Sequence, residues 1–419
     1  MSSTLLIKSC TIVHPQSPHH LKVMDVLIEK GKITKIASNI SFDGKTFDGK
    51  GKFLAPGFFD LNVSLGEPGL ETKEDFETGT KAAMAGGFTG LAVMPHNQPT
   101  TDSKSQVEYI INKAKGNLVD IFPYGTISQK REGKDLSEMF DMTQSGAIAF
   151  TDGDQPVQDA GLMERALLYA KGFDGLVLSY PDDQSISGKA KMNEGAMSTL
   201  LGMKGIPNLA EELMLVRDLY LAAYTESKVH FSTISTAHAV ELIKAAKKKG
   251  TKVTCDVAAH HLVLTDEAVA DFDSNYKVKP PLRTKTDVKA LRKGLKEGII
   301  DAVVSQHAPQ EIEFKEVEFE IAKYGIIGLQ TVLPLLFKAG FTAEEIVTKL
   351  SIAPRKILGL AIPELKEGEI ANLVLFNKSE WLYNEDSNFS KSANTPFLNQ
   401  TLNGKVWLTC NNHQVYASN

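Results

Sequence analysis

The chain has 419 residues, 42% of them hydrophobic, and 46 Lys+Arg against 51 Asp+Glu leave a net charge of −5. That balance excludes a disordered chain, a small disulfide scaffold and a basic nucleic-acid binder. At roughly 150 residues per domain, the length suggests two or three domains or one large barrel with an appendage. Cys10, Cys255 and Cys410 are the only cysteines. They show no metal-type spacing and fit a reducing compartment. The opening MSSTLLIKSCTIVHPQ has no signal-peptide pattern, and no apolar run approaches the ~20 residues of a membrane span. A cytoplasmic protein with neither membrane nor nucleic acid as partner is expected.

In chain order, the first fifty residues read as short strands at Leu5–Ile7, Cys10–Val13, Val26–Glu29 and Lys32–Ala37, with Gly31 at a hairpin turn. Eight apolar runs follow: Phe58–Val63, Thr89–Met94, Asp120–Tyr124, Ala147–Phe150, Leu176–Leu178, Lys228–Phe231, Val253–Val257 and Ala302–Val304. Helical periodicity separates most of them, at Glu74–Met84, Lys104–Lys115, Gly161–Lys171, Ala210–Thr225, Ala237–Lys249 and Val288–Lys296. Strands alternating with helices predict an α/β fold, a (β/α)8 TIM-type barrel over residues 55–360. No glycine-rich phosphate loop follows the first strand, which argues against a dinucleotide fold. Short strands return at Ile370–Phe376, Val406–Thr409 and Gln414–Ala417. Two such ends cannot each bury a core, so residues 1–54 and 361–419 are expected to form one composite, sandwich-like β domain. Residues 384–396 read as a polar surface loop, and Lys247–Lys249 as a solvated helix end.

Active sites of βα barrels lie at the carboxyl ends of the strands. Those ends offer Asn62 and Ser64, His96, Asp152 and Asp154, Ser179, Ser232 and Thr233, His260 and His261, and Gln306 with His307. The set is polar but poor in metal ligands, with single scattered histidines and few acids.

The stretch from Pro56 to Gly69, PGFFDLNVSLGEPG, resembles the signature that opens the barrel of dihydroorotases, in the cyclic amidohydrolase superfamily. Further matching motifs follow in the family's order. They are Met94-Pro95, Phe150-Thr151-Asp152, Asn193-Glu194-Gly195, Ser235-Thr236, His260-His261-Leu262, Pro280-Pro281-Leu282-Arg283, His307-Ala308-Pro309 and Ala353 through Leu360. The resemblance, to the larger class I type, covers nearly the whole chain.

It also implies ligands that are missing. The family's first strand ends in His-x-His, where this chain has Asn62 and Ser64; its later ligand histidines correspond to Ser179 and Thr233. Its aspartate of the Asp-His-Ala-Pro-His motif corresponds to Gln306, leaving only Asp152 of the ligand set. His230 lies three residues before Thr233 and is expected to point elsewhere. Substrate-binding positions differ too: Gly66 stands for an arginine, His96 and Lys279 for asparagines, and Gln310 for a histidine. Zinc is the family's expected metal, yet amide and hydroxyl side chains supply neither imidazole nitrogen nor charge, so no bound metal is expected.

Each retained residue also has a structural explanation. Asp152 can hold a loop, His260, His261 and His307 can satisfy buried partners, Arg283 can pair with a carboxylate, and Cys255 can pack as a small hydrophobe. The leading expectation is therefore a dihydroorotase-like protein of pyrimidine biosynthesis without catalysis, a structural or regulatory subunit. The resemblance implies aspartate transcarbamoylase as a partner, and homo-oligomers are expected. The rival is a divergent amidohydrolase using one metal or none, built on His96, Asp152, His260 and His307. A third reading is a sensor that binds a metabolite without converting it.

Overall fold

A computed structural model describes residues 4–418. Seven of the eight expected barrel strands form two parallel ladders. One holds Phe58–Val63, Phe88–Val93 and Asp120–Pro123; the other holds Val177–Ser179, Val229–Phe231, Val253–Ala258 and Ala302–Val304. The eighth segment, expected at Ala147–Phe150, joins them through bridges from Phe150 to Gly125 and Val177. The Phe150 amide donates to the Leu176 carbonyl at 3.0 Å, but the chain turns away at Thr151, leaving too few paired residues for a ladder. A Val63–His307 bridge closes the ring.

The helices outside the barrel follow the expected periodicity, with starts set by caps. Asp75 closes a capping box on Phe76–Ala85, so the helix begins after Glu74 and leaves that carboxylate free to turn inward. Thr284 does the same for Lys285–Lys296, which starts three residues before its first apolar position. Among the described residues, no helix is long and apolar enough to cross a membrane.

Both termini build one eight-stranded sheet. Its order is Gln414–Ala417, Gln400–Asn411, Leu373–Tyr383, Phe53–Pro56, Leu5–Ile12, Val23–Glu29 and Lys32–Ala37, with Thr46–Asp48 on the Leu5–Ile12 strand. The period of two in strand Leu373–Tyr383 explains its position. Leu373 and Leu375 enter the core of the sheet domain, while Val374 and Phe376 join the barrel core. The Phe376 ring lies 5.4 Å from that of Phe58, at the start of the first barrel strand. The sheet therefore seals the barrel's amino-terminal end and leaves the opposite mouth open.

Two expectations are corrected. Residues 384–396 are a strap across the barrel loops. Ser390, Ser392 and Asn394 are buried; Ser392 Oγ donates to the Lys73 carbonyl at 2.8 Å and Asn394 Nδ2 to the Ala308 carbonyl at 3.0 Å. The polarity that reads as solvent-facing instead satisfies orphan backbone carbonyls. The second correction is partial: Lys248 and Lys249 are exposed at the helix end as expected, but Lys247 is anchored, with Nζ 2.7 Å from Asp301 and 2.8 Å from the Ile299 carbonyl.

Candidate functional site

The strand ends surround a cavity of about 290 Å3 at the barrel mouth. Asn62, Ser64, His96, Lys279 and Gln306 line it, whereas Asp152, Ser179, Thr233, His260 and His307 do not. Lys73, Arg131, Tyr180 and Tyr324 also line it. Sequence reasoning missed these four because three lie in loops without a periodic signal. Tyr180, directly after Ser179, is the one its strand-end position could have revealed.

Of the withdrawn residues, Asp152, Ser179, Thr233 and His307 each have a hydrogen-bond partner. Asp152 Oδ1 accepts the backbone amides of Ile127 and Ser128 at 2.8 and 3.0 Å, and Oδ2 accepts the Ser128 hydroxyl. Burial pushes its carboxyl up. Ser179 Oγ donates to Asp218 at 2.6 Å. Asn62 Nδ2 donates across the barrel to Ser232 Oγ at 3.3 Å and Thr233 Oγ1 at 3.5 Å. His230 points away from the mouth, between Thr254 at 2.8 Å and Asp256 at 3.0 Å. His307 Nδ1 accepts the Gly328 amide, which places the proton on Nε2, facing Glu74 at 3.4 Å. Glu74 also accepts from Ser390 Oγ, Thr78 Oγ1 and the Lys391 amide.

Among the described residues, His96 is the one imidazole in the cavity wall. Burial and the nearby Arg131 push it down to about 4, against the pull of Asp154 at 3.6 Å. A Cβ on Gly153 would fall 1.9 Å from its Nε2, so glycine at 153 is what lets His96 pack there. Arg131 Nε donates to the Asp152 carbonyl at 2.9 Å, and its guanidinium pairs with Asp154. Lys279 Nζ pairs with Asp182 at 2.7 Å. At Gly66, where the resemblance implies an arginine, a Cβ would stand 2.0 Å from the Leu70 carbonyl oxygen, so the loop has no room for any side chain there.

His260 and His261 are buried with ring centroids 4.5 Å apart. His261 Nε2 lies 3.1 Å from the Pro280 carbonyl oxygen. Burial first, then the adjacent His261, holds His260 far below the usual imidazole range; burial pushes His261 down to about 4. Both stay neutral in the folded chain and take up protons on unfolding. Stability should therefore fall as pH drops from about 6.5 towards 4, by about 1.4 kcal/mol per pH unit for each fully titrating histidine. Asp60, raised by burial to about 7, takes up a proton on acidification when folded and opposes one of them. His261→Gln, which keeps a donor for Pro280, should flatten the dependence of the melting temperature on pH over this window. An unchanged slope would remove His261 from this account.

The matching motifs converge on a buried network beside the mouth. Arg283 Nη2 lies 3.4 Å from Glu211, Nε donates to Ser235 Oγ at 2.9 Å, and Nη1 donates to Asn193 Oδ1 at 3.0 Å. Glu211 in turn accepts the Ser235 and Thr236 amides at 2.8 and 3.1 Å. The motifs at 193–195, 235–236 and 280–283 thus hold three loops together.

The parallel strands closed into a ring, with a sheet domain built from both termini, define a (β/α)8 TIM-type barrel with a composite β domain. The fold matches L-hydantoinase from Arthrobacter aurescens with a TM-score of 0.85, at 22% identity over 99% of this chain and 96% of that one. D-hydantoinase from Thermus sp. gives 0.81, at 22% identity over 99% and 95% of the two chains. The family model described as dihydro-orotase-like matches residues 51–239. The dihydroorotase of Acetivibrio thermocellus is 42% identical over 98% of both chains, and that of Syntrophus aciditrophicus 43% over 92% and 93%. The chain belongs to the dihydroorotase family.

The residues present do not fit the metal centre which the resemblance implies. The strand ends present amides and hydroxyls, Asn62 is bonded to Ser232 and Thr233, and Asp152 is turned to its own loop. Among the described residues, no three His, Cys, Asp or Glu side chains converge in a metal-binding group.

Proposed function

We propose that this protein is a pyrimidine-biosynthesis subunit of dihydroorotase ancestry that has lost ring hydrolysis and acts structurally or as a regulator, with aspartate transcarbamoylase as its partner. One observation carries the reading: Asn62, Ser64, Ser179, Thr233 and Gln306, which stand where the resemblance implies the groups that ionise the attacking water, are neutral amides and hydroxyls. Opening or closing an amide ring by this family's chemistry needs the pKa of water lowered from about 15.7 to about 7, roughly 12 kcal/mol. Asn62, Ser64, Ser179, Thr233 and Gln306 supply no charge for that task. Neither histidine is poised as a strong base: burial, then Arg131, pushes His96 down to about 4, and His307 is locked between Gly328 and Glu74. Purified protein given dihydroorotate or carbamoyl aspartate should show no turnover above background. Turnover at enzymatic rates would instead establish the divergent amidohydrolase. Mixed with aspartate transcarbamoylase, it should co-elute on size exclusion; two independently migrating species would remove the partner.

The cavity also favours binding without conversion. Lys73 is half-buried in its wall and, among the described residues, makes no hydrogen bond or ion pair through Nζ, and burial lowers its pKa. Gln310 Oε1 is buried without a donor. A small acid bearing N–H groups would satisfy both. Carbamoyl aspartate or dihydroorotate should raise the melting temperature of the wild type but not of Lys73→Met. No rise with either compound would reject the sensor reading.

A further inference from the structure

Beyond the last barrel strand, the chain from Glu311 to Ile321 reads EIEFKEVEFEI, glutamates interleaved with apolar residues. Lys315 and Phe319 turn inward and are buried. Ile312, Phe314, Val317 and Ile321 face solvent, from 37% exposed at Val317 to 66% at Ile321. Exposed Phe272, whose ring centroid lies 6.2 Å from that of Phe319, extends this apolar patch. Glu313, Glu316, Glu318, Glu320 and Asp271 are exposed among these side chains. Among the described residues, none of the five carboxylates pairs with a lysine, arginine or histidine. The nearest exposed cation of the segment, Lys323, lies instead over the Phe314 ring at 5.9 Å.

The patch sits on a loop fixed from within. The Lys323 amide donates to the Phe314 carbonyl at 3.0 Å, which closes residues 314–323 into a compact loop. Lys277 Nζ enters it from a neighbouring segment and donates to the carbonyls of Phe319, Glu320 and Ala322, the last two at 3.0 and 2.6 Å. Lys315 Nζ donates to the Lys323 and Gly325 carbonyls at 3.0 and 3.1 Å. Two buried ammonium groups thus hold one stretch of backbone. A loop anchored in this way presents its outer side chains in one arrangement and loses little freedom on binding.

We propose that this loop docks a positively charged amphipathic segment of a different protein, one in which Lys or Arg is interleaved with apolar side chains. The five apolar side chains expose roughly 400 Å2, taking about 150–200 Å2 for each whole side chain, a patch of the size that marks a contact site. The carboxylates among them select the occupant. A second copy apposed through the same face would set carboxylate against carboxylate, and a nucleic acid or an anionic lipid surface would be repelled. The stems of lysine and arginine cover apolar surface while their charged heads reach outward, so one such segment satisfies both halves of the patch. Gln310 and Tyr324, at the two ends of the loop, line the barrel cavity, which places the occupant on its rim. This docking goes beyond the proposed function: it depends neither on aspartate transcarbamoylase as partner nor on the loss of ring hydrolysis.

The probe is a fluorescently labelled peptide of lysine and leucine at helical spacing, about 14 residues long, added to the full chain and followed by anisotropy. It should bind the wild type, and the same peptide with glutamate for lysine should not. Phe314→Ser with Ile321→Ser should weaken binding about tenfold at both low and high salt. Glu316→Gln, Glu318→Gln and Glu320→Gln together should weaken it about tenfold at low salt and flatten its salt dependence. Glu29→Gln, Glu138→Gln and Glu241→Gln, which remove three exposed carboxylates elsewhere, should bind as the wild type does. All three variants should keep the wild-type melting temperature, because every replaced side chain is exposed. No binding to the wild type, equal binding of the acidic peptide, or no loss in the apolar pair would each overturn the proposal. Equal losses in the two glutamine triples would make net charge the cause and overturn it as well.

Discussion

Replacing Arg283 by methionine should lower the unfolding free energy by about 3–5 kcal/mol, the range for breaking a buried ion pair from one side. Arg283 and Glu211 are each 2% exposed. Removing the guanidinium leaves Glu211 in a site where burial already pushes its carboxyl up against the pull of Arg283. It also strips donors from Ser235 Oγ, Asn193 Oδ1 and the Ile206 carbonyl. Uptake of a proton by Glu211 limits the loss. The double variant Arg283→Met/Glu211→Met should therefore lose less than the two single variants together, with a coupling above about 2 kcal/mol. Urea denaturation of the four proteins measures this. Additive losses would show that the pair does not act as a unit.

Asp152→Ala should cost about 2–4 kcal/mol, and the same amount in chelator as in added zinc. The resemblance implies that Asp152 is the one retained member of the family's ligand set, so its role separates the two accounts of the mouth. As a loop holder it satisfies the Ile127 and Ser128 amides and the Ser128 hydroxyl. Charge-assisted bonds of this kind contribute about 1.5–3 kcal/mol each before the cost of burying the carboxylate is subtracted. As a metal ligand, its removal would matter only when zinc is present. Melting temperatures of wild type and variant in both conditions decide the matter, and a difference confined to the zinc samples would restore Asp152 to a metal site.

The barrel was legible because its signals are local. Apolar runs such as Phe58–Val63 and Ala302–Val304 keep their full length as strands, and periodic segments such as Gly161–Lys171 become helices with one residue added. The caps at Asp75 and Thr284, visible as residue types, moved the helix starts from Glu74 and Val288. The strap at 384–396 was not legible, because its burial depends on carbonyls more than 80 residues away at Ala308 and more than 300 away at Lys73. The same limit applies to the site. Strand-end position identified Asn62, Ser64, His96, Asp154 and Gln306 as cavity residues, and the resemblance added Lys279, but neither showed that Ser179 would turn to Asp218. Arg283 needed a carboxylate, and nothing in the spacing of 283 and 211 along the chain could name Glu211.

The most direct measurement is the zinc stoichiometry of the purified chain after dialysis, read by elemental analysis beside the Acetivibrio thermocellus dihydroorotase treated identically. Neutral amides and hydroxyls at the strand ends predict well below one zinc per chain. One or two equivalents that survive dialysis, together with interconversion of carbamoyl aspartate and dihydroorotate, would contradict the account.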